Sequence, residues 1–208
     1  MTTSTKPGAD RPRDLGDGEA VRKRMLAVIA RLSGRSPSAV AGRAQLRSAI
    51  AKEPGSDPAI WAYTLEEGPE RLLGDEPTRG ECAVHLALTL WALHQGSHPT
   101  PMHLVTRRAS TIGGSVRRLA VAAGAEHPEE HSSYKRLCAM IAAPTFAALS
   151  VHARGLVALL SSSDIPMDYG RFAADLYEWQ DPERRSRVVR QWGRDFARTP
   201  HDDEPESD

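Results

Sequence analysis

The sequence predicts an all-α protein, and three observations support that prediction. Apolar residues recur at helical spacing between proline and glycine breaks, as at Ile112, Val116 and Leu119. No segment alternates apolar and polar residues over the length of a strand. Aromatic residues make up only 5% of the 208 residues, whereas alanine and leucine are common. That composition favours helices over sheets.

Two small helical bundles packed together are the expected architecture. The first would cover residues 18–124, because Gly124 interrupts the helical pattern, and the second would cover residues 125–199. We expect disordered tails at residues 1–17 and 200–208, which are rich in polar, proline and charged residues. The sequence has no signal peptide and no apolar stretch long enough to span a bilayer, which predicts a soluble, cytoplasmic protein that does not contact membranes.

Helix start and stop signals define the elements of the first bundle. A capping aspartate begins a helix over residues 17–32, and a Ser-Pro pair begins a second helix over residues 36–52. Residues 77–95 are apolar on two faces, which predicts a helix buried between others. Between these helices we expect Trp61 and Tyr63 to be anchored in the core.

Similar signals predict the helices of the second bundle. One helix starts at His127-Pro128 and carries Cys138 on its inward side, and another covers residues 145–161. Asp168 and Asp181 are the expected N-caps of the last two helices. The protein has only two cysteines and no CxxC motif, so we expect reduced, structural thiols.

The formal net charge of zero hides an uneven distribution of charge. Residues 21–200 carry 24 basic and 18 acidic groups, a net charge of +6, whereas residues 201–208 carry five acidic groups and no basic one. Four arginines occur between residues 106 and 125 without any acidic residue. They fit either a solvated helix face or a surface for an anionic partner.

The same arrangement of inward apolar and outward basic residues recurs on most predicted helices. Arginine outnumbers lysine, and its planar guanidinium suits bidentate phosphate contacts. Few aromatic residues accompany these cations, so we expect contacts to the nucleic-acid backbone rather than base stacking. The candidate nucleic-acid-binding residues are Arg43, Arg47, Arg107, Arg108, Arg117, Arg118, Lys135, Arg136, Arg154 and Arg194.

Sequence motifs for catalysis or metal binding do not occur. His94, His98 and His103 surround a proline-rich loop, but neither HExxH nor zinc-finger spacing is present. The pair Gly113-Gly114 lacks the frame of a phosphate-binding loop and is interpreted as a turn or a close-packing feature. We therefore expect no enzyme, no metal and no cofactor.

Five segments, in order, resemble the CasB family, the small subunit of the type I-E CRISPR Cascade complex. They are GRAQLRSAI, TIGGSVRRLA, SYKRLCAMIAA, HARGLVALLSSSDIPMDY and DLYEWQDPERRSRVVRQWGRDF, and the resemblance covers about residues 25–198. It implies a non-catalytic helical subunit that contacts the large subunit, the backbone filament and a second copy of itself. It also implies sequence-independent binding of guide RNA and target DNA, which stabilises the R-loop.

The resemblance assigns roles to part of the candidate set. Arg43, Arg47, Arg117, Arg118, Lys135, Arg136 and Arg154 match basic positions of the family. The chain departs from the family pattern at Ser48, Gly114 and Gly155, where relatives often carry another basic residue, and Arg107-Arg108 is expected to compensate. The alternative hypothesis is a helical scaffold or assembly protein whose arginine faces bind acidic protein partners.

Overall fold

A computed structural model describes residues 17–65, 76–105 and 110–198 and confirms the all-α prediction. Within these ranges the isolated bridge between His103 and Met167 is the only β-type pairing. No helix in the described part of the chain is both long and apolar enough to cross a membrane. The helices are α1 (Asp17–Leu32), α2 (Pro37–Ser48), α3 (Trp61–Thr64), α4 (Arg79–Gln95), α5 (Ile112–Ala122), α6 (Ser132–Ile141), α7 (Phe146–Ser162), α8 (Tyr169–Trp179) and α9 (Pro182–Ala197).

Side-chain caps fix where several helices begin. The side chains of Ser36, Asp168 and Asp181 accept hydrogen bonds from the first turns of α2, α8 and α9, as predicted. Thr78 and Glu81 form a capping box at the start of α4 that the sequence analysis did not identify. The predicted tails lie outside the described residues, apart from Asp17.

The apolar core is one continuous cluster with α4 at its centre. Leu88, Leu90 and Trp91 of α4 are fully buried, because α1, α2, α7 and α8 all pack against this helix. This confirms the prediction that residues 77–95 hold a helix buried between others. The cluster also includes Trp179 and Trp192 from the second half of the chain. The division into bundles at residue 124 stays a prediction.

Helices α5 and α9 approach each other closely at Gly113. A Cβ atom on this residue would lie 2.1 Å from the carbonyl oxygen of Trp192 and 2.9 Å from the amide nitrogen of Phe196. Only a residue without a side chain fits between the two backbones. The structure thus confirms close packing as the role of this glycine.

Two predictions about buried side chains were wrong. Trp61 is 45% exposed, because its indole nitrogen donates to the carbonyl oxygen of Gly55 at 2.7 Å and holds the ring on the surface. Tyr63, by contrast, is partly buried against the core. Cys138 is exposed, because it lies one position, and so about 100° of helix rotation, beyond the fully buried Leu137.

Candidate nucleic-acid interface

Four of the predicted binding residues are exposed cations without an ionic partner. Within the described ranges, none of them forms an ion pair or a side-chain hydrogen bond. Helices α6 and α7 bring two of them near each other, because Arg136 Nη1 lies 3.5 Å from the position that a Cβ would take on Gly155, next to Arg154. We call these four residues, together with Arg190 described below, the free cations. The four are Lys135, Arg136, Arg154 and Arg194.

Arg190 of α9 is a fifth free cation. It is exposed and has no partner in the described part of the chain, like Arg194 one turn later. The signal was present in the sequence, because Arg190 lies opposite the apolar strip that contains Val188 and Trp192, both of which are buried. The predicted set nevertheless contains Arg194 of this helix and not Arg190.

Arg117 and Arg118 of α5 do not point freely towards water, in contrast to the sequence-based expectation. Both are half-buried, and each uses a guanidinium nitrogen to hold a backbone carbonyl. Arg117 donates to the carbonyl oxygen of Phe196 at 3.4 Å, next to the end of α9. Arg118 donates to the carbonyl oxygen of Pro166 at 2.5 Å and to Ser115 Oγ at 3.0 Å. Burial lowers the pKa of Arg118 from its ordinary value.

Arg43 of α2 also holds backbone carbonyls. Its Nη1 donates to the carbonyl oxygens of Leu32 and Gly34, the second at 2.9 Å. These carbonyls lie at the end of α1, where the helix dipole favours a cation. Arg47, one turn later, is half-buried and has no partner among the described residues. Because α2 packs against α1 and α4, these two arginines belong to a different part of the surface from α6 and α7.

Arg107 and Arg108 lie outside the described residues. Their predicted compensation for the basic residues absent at Ser48, Gly114 and Gly155 therefore stays a prediction. Gly114 itself is buried in α5, and Ser48 is exposed at the end of α2.

The three histidines considered for a metal site are held by structural contacts, and His103 Nδ1 accepts a hydrogen bond from the backbone amide of Tyr169 at 3.2 Å. His94 Nδ1 lies 2.9 Å from the hydroxyl of Tyr169, and burial lowers the pKa of this histidine to about 4. His98 lies between the carboxylate of Asp164 at 2.7 Å and the hydroxyl of Ser161 at 3.0 Å. In the described ranges, no group of three histidine, cysteine or acidic side chains is placed to hold a metal ion.

Comparison with known proteins supplies the family of this chain. Residues 42–196 match the family model described as CRISPR-associated protein Cse2. The chain belongs to the Cse2/CasB family. Members of this family are small subunits of the CRISPR Cascade complex, so the chain is a CRISPR subunit that works with other proteins.

Solved structures of family members agree with the fold. CasB from Thermobifida fusca is 32% identical, and the match covers 87% of this chain and 97% of that one with a TM-score of 0.65. CasB from M. ruber is 23% identical, with 86% and 95% coverage and a TM-score of 0.64, and supports the fold alone. No curated protein sequence matches this Cse2/CasB chain.

Proposed function

We propose that this Cascade small subunit binds the nucleic-acid backbone without sequence preference and stabilises the R-loop during antiviral defence. The R-loop consists of the guide RNA–target hybrid and the displaced DNA strand. The observation that carries the proposal is the set of five free cations on α6, α7 and α9. Exposed cations that are not paired with carboxylates of the same chain attract phosphates. Their binding releases the counterions that surround the nucleic acid.

The distribution of aromatic residues supports backbone contact over base stacking. In the described part of the chain, Trp61 is the only exposed aromatic side chain. Its indole nitrogen is held by Gly55, on a different element from the free cations. Proteins that bind single strands by stacking present several aromatic platforms, and such platforms do not accompany these cations.

A modest set of phosphate contacts is sufficient for this role. Exchange of a DNA duplex for an RNA–DNA hybrid is nearly balanced in free energy, so contacts to the backbone tip the equilibrium. The half-buried Arg117 and Arg118 retain further N–H donors and extend the proposed surface. Arg47, on a separate part of the surface, and Arg107 and Arg108 are proposed as further contacts. The protein would act without catalysis, metal or cofactor.

The proposed partners follow from membership of the Cse2/CasB family. They are the large subunit and the backbone filament of Cascade, a second copy of this chain, the guide RNA and the target DNA. Exposed valines provide apolar area for protein contacts, including Val151 at 70% exposure, three residues before Arg154 on α7, and Val121 at 51% exposure on α5. Assembly in the cytoplasm, away from membranes, is part of the proposal.

A pair of arginine substitutions tests the proposal in the reconstituted Cascade complex. Arg154→Ala removes a free cation, whereas Arg187→Ala removes an exposed arginine that already pairs with Glu178. We expect the first substitution to shorten the R-loop lifetime by about two- to five-fold and the second to leave it nearly unchanged. Equal lifetimes for both complexes and the parent would contradict backbone binding. A different outcome would favour acidic protein partners. In that case the Arg154→Ala complex fails to assemble, and short DNA does not compete with assembly of the parent complex.

A further inference from the structure

The outward side of α9 presents a row of arginines. Arg187, Arg190 and Arg194 lie at helical spacing on the side opposite the buried Val188 and Trp192, and we call this row the α9 ridge. Arg187 already pairs with a carboxylate, that of Glu178 in α8. Arg190 and Arg194 have no partner in the described ranges. The ridge therefore accepts carboxylates, and two of its three arginines are unpaired.

An acidic segment begins just after this helix. Helix α9 ends at Ala197, and Arg198 follows with an extended backbone. Residues 201–208 have the sequence HDDEPESD, with five acidic groups and no basic one. It is the most strongly acidic stretch close to the ridge in sequence, and its charge complements the ridge.

Chain length allows this segment to reach the ridge. Along α9, Arg194 and Arg190 lie roughly 6 Å and 12 Å from Arg198 at the helical rise of about 1.5 Å per residue. An extended chain of four residues spans about 13 Å, so the first acidic residues after Arg198 can reach either arginine. The loop that has to close is short, which keeps its entropic cost small.

We propose that residues 201–208 fold back onto the α9 ridge and pair their carboxylates with Arg190 and Arg194. Tethering gives the carboxylates a high local concentration, although each exposed pair is weak and is screened by salt. The segment then acts as an internal competitor for phosphates, a consequence that rests on the proposed function. Nucleic acid has to displace this segment before it binds the ridge. Strands that make few contacts are therefore rejected more readily than strands that make many.

Cross-linking of the full-length chain tests the docking without nucleic acid. Arg190→Lys and Arg194→Lys keep the positive charge and introduce an amine, which a carbodiimide joins directly to a nearby carboxylate. Lys23, exposed on α1, reports random encounters. We expect the introduced lysines to link to residues 201–208 several-fold more than Lys23 does, and the excess to disappear in high salt. Yields no higher than at Lys23, or a preference for Lys135, would overturn the proposed docking site.

A full-length chain with a neutral segment tests the competition. The variant carries Asp202→Asn, Asp203→Asn, Glu204→Gln, Glu206→Gln and Asp208→Asn. We expect its affinity for a DNA duplex in low salt to rise about three- to ten-fold.

The gain in affinity should depend on the ridge. It should shrink when Arg190→Ala and Arg194→Ala are also present, because a docked segment needs these arginines. An effect of net charge alone would raise the affinity for DNA whether or not these arginines are present. A gain that is independent of them, or no gain at all, would overturn the inference. The proposed function fails differently, since neither the parent nor the neutral chain would then bind DNA.

Discussion

Replacement of Gly113 by alanine tests the close packing of α5 against α9. The new Cβ would lie 2.1 Å from the carbonyl oxygen of Trp192, and backbone rather than a movable side chain blocks it. The two helices have to separate by roughly 1 Å, a gap that forfeits a quarter to a half of the dispersion energy at each contact. Val116 and Trp192, both fully buried on these helices, lose packing as a result. We expect a loss of about 3 kcal/mol in the free energy of unfolding.

Gly193 is the matched control on the same pair of helices. It lies within α9, is exposed, and a Cβ there would meet no atom within 4 Å. Gly193→Ala should therefore stabilise the protein by up to about 1 kcal/mol through helix propensity. Thermal unfolding followed by circular dichroism measures both variants, and the expected loss for Gly113→Ala is roughly 6–12 °C in Tm. A Gly113→Ala protein within 0.5 °C or so of the parent would refute the packing argument.

Three further predictions concern stability. Arg43→Ala should cost about 1–2 kcal/mol in urea unfolding, because two carbonyls at the end of α1 lose their donor; an unchanged midpoint would contradict this. Ser36→Ala should cost about 1 kcal/mol through loss of the α2 cap, and Ser36→Thr should restore most of it. Burial lowers the pKa of His94 from 6.5 to about 4, so its contribution, about 3 kcal/mol, is complete above pH 6.5 and is lost as the pH falls towards 4. Burial raises the pKa of Asp175 from 3.8 to about 6, so protonation of this group stabilises the folded protein as the pH falls through nearly the same window. This gain offsets part of the loss that His94 causes. Asp175→Asn should therefore make the stability fall more steeply between pH 6.5 and 4, and a slope equal to that of the parent would contradict the assignment.

Helix positions could be predicted from sequence because the signals that set them are local. A capping side chain lies within three residues of the amide that it binds, as at Ser36, Asp168 and Asp181. The buried faces of α4 follow from helical spacing in the same way. Trp61 was misassigned because its environment depends on the Gly55 carbonyl, which no periodic pattern reveals.

The role of each arginine could be predicted only in part. Helical spacing shows that Arg43 and Arg118 lie outside the apolar strip. It does not show that a backbone carbonyl of another segment lies within hydrogen-bond distance. That information is tertiary, since the acceptor of Arg118 lies 48 residues away in sequence. Lys135 and Arg154 were predicted as exposed, and they are. Exposure without a partner, rather than membership of a motif, now distinguishes the stronger candidates.

The salt dependence of DNA binding tests the central claim most directly. The chain with Lys135→Ala, Arg136→Ala and Arg154→Ala is compared with the parent over a range of salt concentrations. If these cations contact phosphates, the slope of log K against log salt should become shallower by up to about 3, since each lost contact removes about 0.9. Affinity should fall alike for every sequence tested. An unchanged slope with unchanged affinity would contradict the claim that the free cations bind the nucleic-acid backbone.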